Sequence, residues 1–594
     1  MPREPAAESP IDFTLLSAAV ESASRQCQEL LGQYFAPSAM GAAPVRDPLG
    51  IASSFQHFLL QLAQNPLPLW QAQWRAWEAG MAAWQRALEK STGHGEAVKP
   101  AADRRFKDSE WETNPLYHFI RETWSIYATS LTQLATDTSG LDEKDAQKIA
   151  FYTRQYVDAI SPSNFALTNP EVMRATIETG GQNLVEGLKH FLEDFDPATG
   201  TLRTKMVDDS NFELGRNVAV TPGSVVYQND LMQLLQFAPS TTKARRRPLL
   251  MIPPWINKYY VLDLQPKNSF IKWAVDQGHT VFVISWVNPD ERLREKDFED
   301  YLLEGPVAAL DAIEQATGER AVNVIGYCLG GTLLGATLAW LKARRDSRVK
   351  SATFFTAMLD FTEPGDLGVF IDEQQVSNLE QEMAQRGYLD GKEMATTFNL
   401  LRANDLIWSF VINNYLLGKE PAPFDLLYWN SDSTRMPARM HSTYLRKMYM
   451  QNLLREPGGL TLAGTPIDLH TIDVPVCFVS AVEDHIAPWK STFMGAQLPG
   501  GPVTFLLGKA GHIAGIVNPP GPRAYGHYTG PDPRGLDAEG WLAQATARDG
   551  SWWLTWDAWV SEFSGGEVTA RKPGEGALPR LEAAPGSYVR NRLK

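Results

Sequence analysis

The sequence predicts an α/β domain with a mostly parallel sheet, preceded by a helical region. Two observations support this fold class. Up to about residue 210, apolar residues recur at helical spacing with few strand-like runs, and from residue 211 short apolar runs alternate with amphipathic stretches. The chain has 594 residues, which is enough for two domains. We therefore predict a helical N-terminal domain over residues 1–210 and an α/β domain over residues 211–594.

Composition and charge narrow the class of protein. Hydrophobic residues make up 44% and charged residues 21%, as in globular proteins. A formal net charge of -14 argues against general binding to nucleic acid or to anionic membranes, which requires a basic surface. Cys27, Cys328 and Cys477 lie far apart and form neither a disulfide framework nor a zinc-binding pattern, so no metal is expected. Without a visible signal peptide or an apolar run long enough to cross a bilayer, the sequence predicts a cytoplasmic protein.

The clearest helix of the N-terminal half carries a row of large apolar residues. Its members are Trp70, Trp74, Trp77, Met81 and Trp84, at steps of four, three, four and three. This spacing places them on one face of a helix. We favour burial of this Trp stripe against neighbouring helices, and the alternative is a surface that contacts a partner or an apolar polymer.

Six short apolar runs after residue 215 are candidate strands. They are residues 247–252, 279–286, 322–327, 351–356, 474–480 and 503–507. The long stretch between the fourth and the fifth lacks a strand rhythm, and its apolar part, about 365–460, is interpreted as a cap or lid over an active site. The tail from Gly565 onward is rich in Gly and Pro and is expected to be loosely ordered.

A tight glycine-flanked turn follows the third candidate strand and precedes a helix-like stretch. The turn reads Gly-Tyr-Cys-Leu-Gly from Gly326 to Gly330, which is the lipase-like nucleophile elbow of α/β hydrolases with Cys328 in place of serine. Glycines avoid clashes in such a sharp turn, and the start of a helix favours a thiolate. The backbone N–H of Leu329 would then face the developing oxyanion. The alternative is an inert cysteine in a structural turn, which the strand–turn–helix context disfavours.

A base and an acid follow the nucleophile in the order that this fold requires. Asp484 comes after the strand at 474–480, and His512 comes after the strand at 503–507. Both lie just past the carboxyl end of a strand, the edge at which open α/β sheets place their chemistry. We therefore predict a catalytic triad of Cys328, Asp484 and His512.

The loop after the first candidate strand is expected to supply the second oxyanion N–H, and Ile256 or a near neighbour is the candidate donor. Nearby polar residues can shape the site or brace this loop; they are Asn257, Lys258, Tyr259 and Asp263.

Several residues compete for roles at the site. Asp360 is a rival acid that is less well placed, and His485 either lines the pocket or has a structural role. The remaining candidates lack the position at a strand end and are interpreted as structural; they are His279, His441, His470 and His527.

The motif at 326–332, Gly-Tyr-Cys-Leu-Gly-Gly-Thr, and the motif at 253–260, Pro-Pro-Trp-Ile-Asn-Lys-Tyr-Tyr, resemble those of the class I polyhydroxyalkanoate synthases. Further resembling segments lie at 278–290, 402–408, 423–430, 483–489, 511–520 and 550–553. Together they span most of the chain from about 215 to 560.

The resemblance implies the same triad, an α/β-hydrolase fold and a homodimer with a partly mobile lid. It implies polymerisation of (R)-3-hydroxyacyl-CoA, with preference for short acyl chains such as 3-hydroxybutyryl-CoA, into cytoplasmic polyester granules with possible granule-associated proteins. Coenzyme A is then part of the substrate and a released product, so no separate cofactor is expected. Arg402, at the mouth of the predicted lid, is a candidate partner for substrate or for the CoA phosphate, and a structural role is the alternative.

A thiol nucleophile suits a thioester substrate, because transfer to Cys328 keeps the acyl group activated. His512 would deprotonate Cys328 and then the 3-hydroxyl of a second acyl unit. Asp484 would orient the imidazole or help to activate that hydroxyl. Two alternatives stand beside this prediction: a cysteine-dependent thioesterase or esterase on the same fold, and a non-catalytic granule-coating or scaffold protein.

Overall fold

The computed structural model of the protein describes residues 51–91, 103–197 and 201–592. The chain forms two compact units. The first comprises Met1–Asp208 and Phe398–Ala422, and the second comprises Asp209–Thr397 and Pro423–Lys594. The predicted insertion at 365–460 is therefore divided between the two units.

The described part of the first unit is mainly helical. Its elements are α1 (Ile51–Gln64), α2 (Leu67–Ser91), α3 (Glu110–Thr113), α4 (Pro115–Asp137), α5 (Glu143–Ala159), α6 (Pro170–Glu178), α7 (Gln182–Asp194) and a hairpin of β1 (Phe195–Asp196) and β2 (Thr201–Leu202). Asn114 and Asn169 accept hydrogen bonds from the first backbone N–H groups of α4 and α6, and a proline follows each asparagine. This combination fixes where the two helices begin.

The Trp stripe on α2 is exposed in the structure. The exposed fractions of Trp70, Trp74 and Trp77 are 67%, 62% and 58%, so the favoured prediction of burial is wrong for these residues. The reason is that α2 packs against α4 through a different, small side chain, Ala72, which is buried beside Leu134. The side chain of Trp84 lies outside the described residues.

The second unit is built on one large sheet, with three small two-stranded pairs beside it. In chain order its strands are β3 (Gly223–Gln228), β4 (Met232–Phe237), β5 (Lys243–Arg245), β6 (Leu249–Ile252), β7 (Val281–Trp286), β8 (Val322–Tyr327), β9 (Val349–Phe355), β10 (Tyr388–Leu389), β11 (Met436–Pro437), β12 (Leu460–Leu462), β13 (Thr465–Ile467), β14 (Val476–Ala481), β15 (Val503–Gly508), β16 (His527–Thr529), β17 (Thr546–Arg548), β18 (Glu567–Thr569) and β19 (Glu582–Ala583).

The large sheet has 11 strands in the order β17-β16-β15-β14-β9-β8-β6-β7-β4-β3-β19. Its centre, from β15 to β7, is parallel, and both flanks are antiparallel. The six predicted strands form this parallel centre, so the predicted α/β domain is confirmed. Parallel central strands are buried on both faces, and they therefore read as continuous apolar runs in the sequence.

Helices follow or precede most of the central strands. They are α8 (Phe270–Asp276), α9 (Phe298–Leu302), α10 (Ala308–Thr317), α11 (Leu329–Ala343), α12 (Glu373–Arg386), α13 (Gly391–Leu401), α14 (Asp425–Asn430), α15 (Ala438–Thr443), α16 (Trp489–Gly495), α17 (Ala538–Gln544) and α18 (Trp552–Ser561). Four segments have the wider π-helical turn: Leu303–Val307, Asn404–Trp408, Val411–Leu416 and Tyr444–Met450. No helix in the described ranges is long and apolar enough to cross a bilayer.

The C-terminal tail is ordered by pairing with strand edges. Its strand β18 pairs with β5, and β19 pairs with β3 at the edge of the large sheet. Val589 is only 1% exposed. The prediction of a loose tail is therefore wrong, because backbone pairing holds a segment whose composition carries no such signal.

Candidate functional site

The structure places Cys328 at a sharp turn between β8 and α11. Its backbone has φ 52° and ψ -120°, and this positive φ is a strained conformation for a residue with a side chain. Its N–H donates to the carbonyl of Phe355 at 2.9 Å, and its carbonyl accepts from the N–H of Gly331 at 2.8 Å. The thiol is half-buried. The backbone at Cys328 thus has the strand–turn–helix geometry that was predicted for a nucleophile elbow.

Glycine is required on both sides of the elbow. A Cβ added at Gly326 would lie 2.5 Å from the Cα of Gly331, and a Cβ added at Gly330 would overlap the carbonyl oxygen of Ile252. Ile252 ends β6, so the start of the loop after β6 lies directly against the elbow. The loop that carries the candidate donor Ile256 therefore begins next to the elbow.

His512 and Asp484 form a buried hydrogen-bonded pair. The His512 Nδ1 atom lies 2.7 Å from Asp484 Oδ2, and both side chains are almost fully buried. The other carboxylate oxygen accepts the backbone N–H groups of Ile486 at 2.9 Å and Ala487 at 2.8 Å. The Tyr327 hydroxyl donates to the His512 carbonyl at 3.2 Å. These contacts fix the orientation of the imidazole.

Cys328 lies close enough to the same imidazole for its sulfur to affect the pKa of His512. Burial alone would lower the pKa of His512, but the Asp484 carboxylate and the Cys328 sulfur outweigh this effect and raise the pKa to about 10. A histidine with a raised pKa keeps its proton to a higher pH than a free histidine does. The structure thus brings together all three predicted triad residues.

The predicted oxyanion and pocket residues lie in the elbow itself and in the loop after β6. Leu329 is the first residue of α11, so its N–H has no acceptor within the helix. Ile256 is buried, and Asn257 forms an isolated bridge with Ser433. Tyr259 is also buried, and this burial raises the pKa of its hydroxyl. No group of His, Cys, Asp or Glu that could hold a metal occurs among the residues described.

Arg402 and His485 were also predicted as candidate site residues, and each lies near a residue outside the triad. Arg402 belongs to the first unit, where its Nε donates to Asp405 at 2.9 Å, a contact that supports the structural alternative. His485 is half-buried directly after Asp484, and its carbonyl lies near Gly365.

The rival acid Asp360 is occupied by other partners. Its carboxylate accepts from the Thr362 N–H and from the Asn452 amide, both at 2.9 Å, and pairs with Arg455 at 2.9 Å. The other histidines have contacts away from the triad: His279 with Asp557, His527 with Thr555, and His470 with Asp468, while His441 is buried.

Sequence reasoning missed two tyrosines at the site. The rings of Tyr444 and Tyr449 pack edge to face, with centroids 5.4 Å apart. Burial raises the pKa of both hydroxyls, and the nearby Cys328 raises it further. They lie in the π-helical segment Tyr444–Met450, where residues five apart share a face. The ordinary period of 3.6 places such a pair on different sides of a helix, so no pattern in the sequence marks the two tyrosines as neighbours.

Comparisons with known proteins agree over most of the chain. Residues 102–274 match a family described as "Poly-beta-hydroxybutyrate polymerase (PhaC) N-terminus", and residues 239–519 match the alpha/beta hydrolase fold. The chain is 48% identical to the "Poly(3-hydroxyalkanoate) polymerase subunit PhaC" of Rhizobium meliloti, over 96% of this chain and 94% of that protein. It is 49% identical to the "Poly(3-hydroxyalkanoate) polymerase" of Methylorubrum extorquens, over 89% and 87% of the two chains.

A third relative, with lower sequence identity, is also named as a poly(3-hydroxyalkanoate) polymerase. The "Poly(3-hydroxyalkanoate) polymerase subunit PhaC" of Cupriavidus necator is 42% identical, over 88% of this chain and 89% of that protein. Among solved structures, a hydrolase from Pseudomonas aeruginosa aligns with a TM-score of 0.30 and 14% identity, covering 50% of this chain and 92% of that chain. The match to the alpha/beta hydrolase family confirms the predicted fold of the second unit.

Proposed function

Because the chain belongs to the poly(3-hydroxyalkanoate) polymerase family, and is therefore an acyltransferase that synthesises polyester, we propose that it polymerises (R)-3-hydroxyacyl-CoA through a covalent thioester on Cys328. The proposed substrate is 3-hydroxybutyryl-CoA. The observation that carries the proposal is the strained Cys328 turn beside a histidine that Asp484 holds in place.

The first step transfers the acyl group from CoA to the enzyme. The Cys328 thiolate attacks the thioester carbonyl, a new carbon–sulfur bond forms, and the bond to the CoA sulfur breaks. The departing CoA thiolate takes the proton from the His512 imidazolium. The backbone N–H groups of Leu329 and Ile256 are the proposed donors to the transient oxyanion.

The second step lengthens the polymer. Neutral His512 accepts the proton of the 3-hydroxyl of a second acyl unit, and the hydroxyl oxygen attacks the acyl-Cys328 carbonyl. An ester carbon–oxygen bond forms, the carbon–sulfur bond breaks, and the Cys328 thiolate returns. Asp484 orients the imidazole through its 2.7 Å contact and stabilises the charge that develops on it. Conversion of a thioester to an oxoester drives growth.

The test is turnover of (R)-3-hydroxybutyryl-CoA by the purified protein, with CoA release followed beside the size of the product. We expect insoluble polyester of high mass from the wild type and none from Cys328→Ala. Cys477→Ala is the matched control, since Cys477 is buried in β14 and burial raises the pKa of its thiol. This control should retain polymer formation.

Three outcomes would overturn the proposal. CoA release with only free hydroxybutyrate would indicate the thioesterase alternative. Undiminished polymer from Cys328→Ala would exclude the cysteine as nucleophile. Absence of CoA release from substrates of several chain lengths would exclude the proposed substrate class.

The resemblance also implies a homodimer and growth of the product into granules in the cytoplasm, with granule-coating proteins as partners. We propose these as properties of the working enzyme. The exposed Trp stripe of α2 supports contact with an apolar product, because three tryptophans on one face have no buried position in the described structure.

A further inference from the structure

Lys258 lies in the loop after β6, two residues beyond the proposed oxyanion donor Ile256. Its side chain is 3% exposed, and that of its partner Asp432 is 0% exposed. The Lys258 Nζ atom is 2.8 Å from Asp432 Oδ1. An ammonium group so deeply buried requires partners for all three of its hydrogens.

The other two partners come from the C-terminal segment Tyr588–Arg590 and the residues that follow it. The Lys258 ammonium donates to the carbonyl of Val589 at 2.8 Å and to that of Asn591 at 2.9 Å. Burial lowers the pKa of Lys258, and the Asp432 carboxylate opposes this effect. The lysine thus ties the loop to a part of the chain 331 residues away.

Asp432 is itself held from two directions. Its Oδ2 accepts the hydroxyl of Tyr260 at 2.9 Å, and Arg592 Nε lies 3.5 Å from its Oδ1. The Arg592 guanidinium also lies over the ring of Tyr428, 4.5 Å from the ring centroid. The pair is therefore part of a network that joins the loop, the segment around residue 430 and the C-terminal segment.

The main chain of the loop is fixed by side chains of the same region. The indole of Trp429 donates to the Lys258 carbonyl at 2.7 Å, and the Thr434 hydroxyl donates to the Trp255 carbonyl at 2.6 Å. The Trp255 carbonyl belongs to the same peptide plane as the Ile256 N–H, so the Thr434 contact sets that plane, and the Thr434 N–H also donates to the Ile256 carbonyl at 3.4 Å. The orientation of the Trp255–Ile256 peptide plane decides where the N–H of Ile256 points.

We propose that the Lys258–Asp432 ion pair is a positioning device that locks the C-terminal segment onto this loop and thereby aims the Ile256 N–H at the thioester oxygen. This inference rests on the proposed function, which gives that N–H its role. Stability alone does not account for the pair, because the desolvation of a buried ion pair often exceeds its attraction, and apolar residues of similar volume are then as stable.

The test uses the double variant Lys258→Met/Asp432→Leu, which removes both buried charges of the pair. Arg592, which loses Asp432 in this variant, is 33% exposed, so its charge stays in contact with water. We expect the rate of Cys328 acylation by (R)-3-hydroxybutyryl-CoA to fall about 10- to 100-fold, as for a misplaced oxyanion donor. Alkylation of Cys328 by iodoacetamide should be unchanged, because that reaction develops no oxyanion. The matched control is Lys272→Met/Asp276→Leu, an exposed Lys–Asp pair on α8 that should change neither rate.

A second, milder variant tests the same network in case the double variant does not fold. Arg592→Gln, at the partly exposed rim of the network, should slow acylation about 2- to 5-fold, a small loss typical of displaced positioning groups. Equal falls in acylation and alkylation, or full acylation by the double variant, would overturn the inference. Failure of the wild type itself to be acylated would instead overturn the proposed function.

Discussion

At the residue scale, the hydrogen-bonded pair of His512 and Asp484 makes the stability of the protein depend on pH. The pKa of His512 is raised from 6.5 to about 10 in the folded chain. Because the folded protein binds this proton more tightly than the unfolded chain does, protonated His512 stabilises the fold. This stabilisation is complete below about pH 6.5 and is lost as the pH rises through about 10. We expect Asp484→Asn to reduce the free energy of unfolding most at the acidic end of this window.

Urea unfolding at several pH values between 6.5 and 10 measures the effect. The difference between wild type and Asp484→Asn should shrink as the pH rises. Asp360→Asn is the control, since Asp360 is also buried but pairs with Arg455, which keeps its charge throughout the window. A pH-independent difference for Asp484→Asn would contradict the prediction.

The elbow glycine Gly330 provides a second prediction at this scale. A Cβ there would overlap the carbonyl of Ile252, so Gly330→Ala must displace the loop or the helix. We expect a loss of about 1–3 kcal/mol in the free energy of unfolding, as for overpacked sites, together with loss of CoA release. Gly521→Ala is the control, because a Cβ at Gly521 meets open space. Thermal unfolding and CoA release measure both effects, and equal behaviour of the two variants would refute this account of the elbow.

The triad residues were predictable because each follows an apolar strand at its carboxyl end, a position visible in the sequence. The network of Lys258 was not predictable beyond a general bracing role. Its partners, Asp432 and Val589, are joined to it by folding alone, and no local pattern marks them.

At the element scale, the π-helical segment Tyr444–Met450 brings two hydroxyls to the site. Both rings are buried, and the sulfur of Cys328 is close enough to raise the pKa of both hydroxyls beyond the effect of burial. We expect Tyr449→Phe to lower kcat about 2- to 10-fold with little change in KM, through loss of a polar donor in the site. Tyr525→Phe, at an exposed position, is the control for a lost hydroxyl. Steady-state CoA release measures the change, and an unchanged kcat for Tyr449→Phe would argue against any contact with the reacting groups.

Elements differ in how well the sequence predicts them. The six central strands were predicted within a few residues, because strands buried on both faces are continuous apolar runs. The tail was not predicted, because β18 and β19 are ordered by pairing with β5 and β3 rather than by their own composition.

At the scale of the whole molecule, the exposed Trp stripe is the surface that we expect to contact an apolar product. We expect the triple variant Trp70→Gln/Trp74→Gln/Trp77→Gln to sediment less with polyester while its initial rate of CoA release is retained. The occupant we expect is the growing polyester, because that is the apolar partner the family itself makes.

The control for this prediction is Tyr127→Gln/Tyr156→Gln, which removes two exposed aromatics from other helices of the same unit. Co-sedimentation with polyester granules, measured beside early CoA release, distinguishes the surfaces. Equal sedimentation of the stripe variant and the wild type would contradict the prediction.

The division of the predicted insertion between the two units has a consequence for protein engineering. The chain crosses between the units three times, after residues 208, 397 and 422, so a cut near residue 208 does not release a separable module. Residues 398–422 would lose the neighbours that they have in the first unit: the Tyr415 hydroxyl contacts Asp194 at 2.7 Å, and the Leu416 carbonyl accepts from Asn183 at 2.8 Å. A shortened or chimeric enzyme therefore needs a redesigned segment at 398–422 as well as a new start.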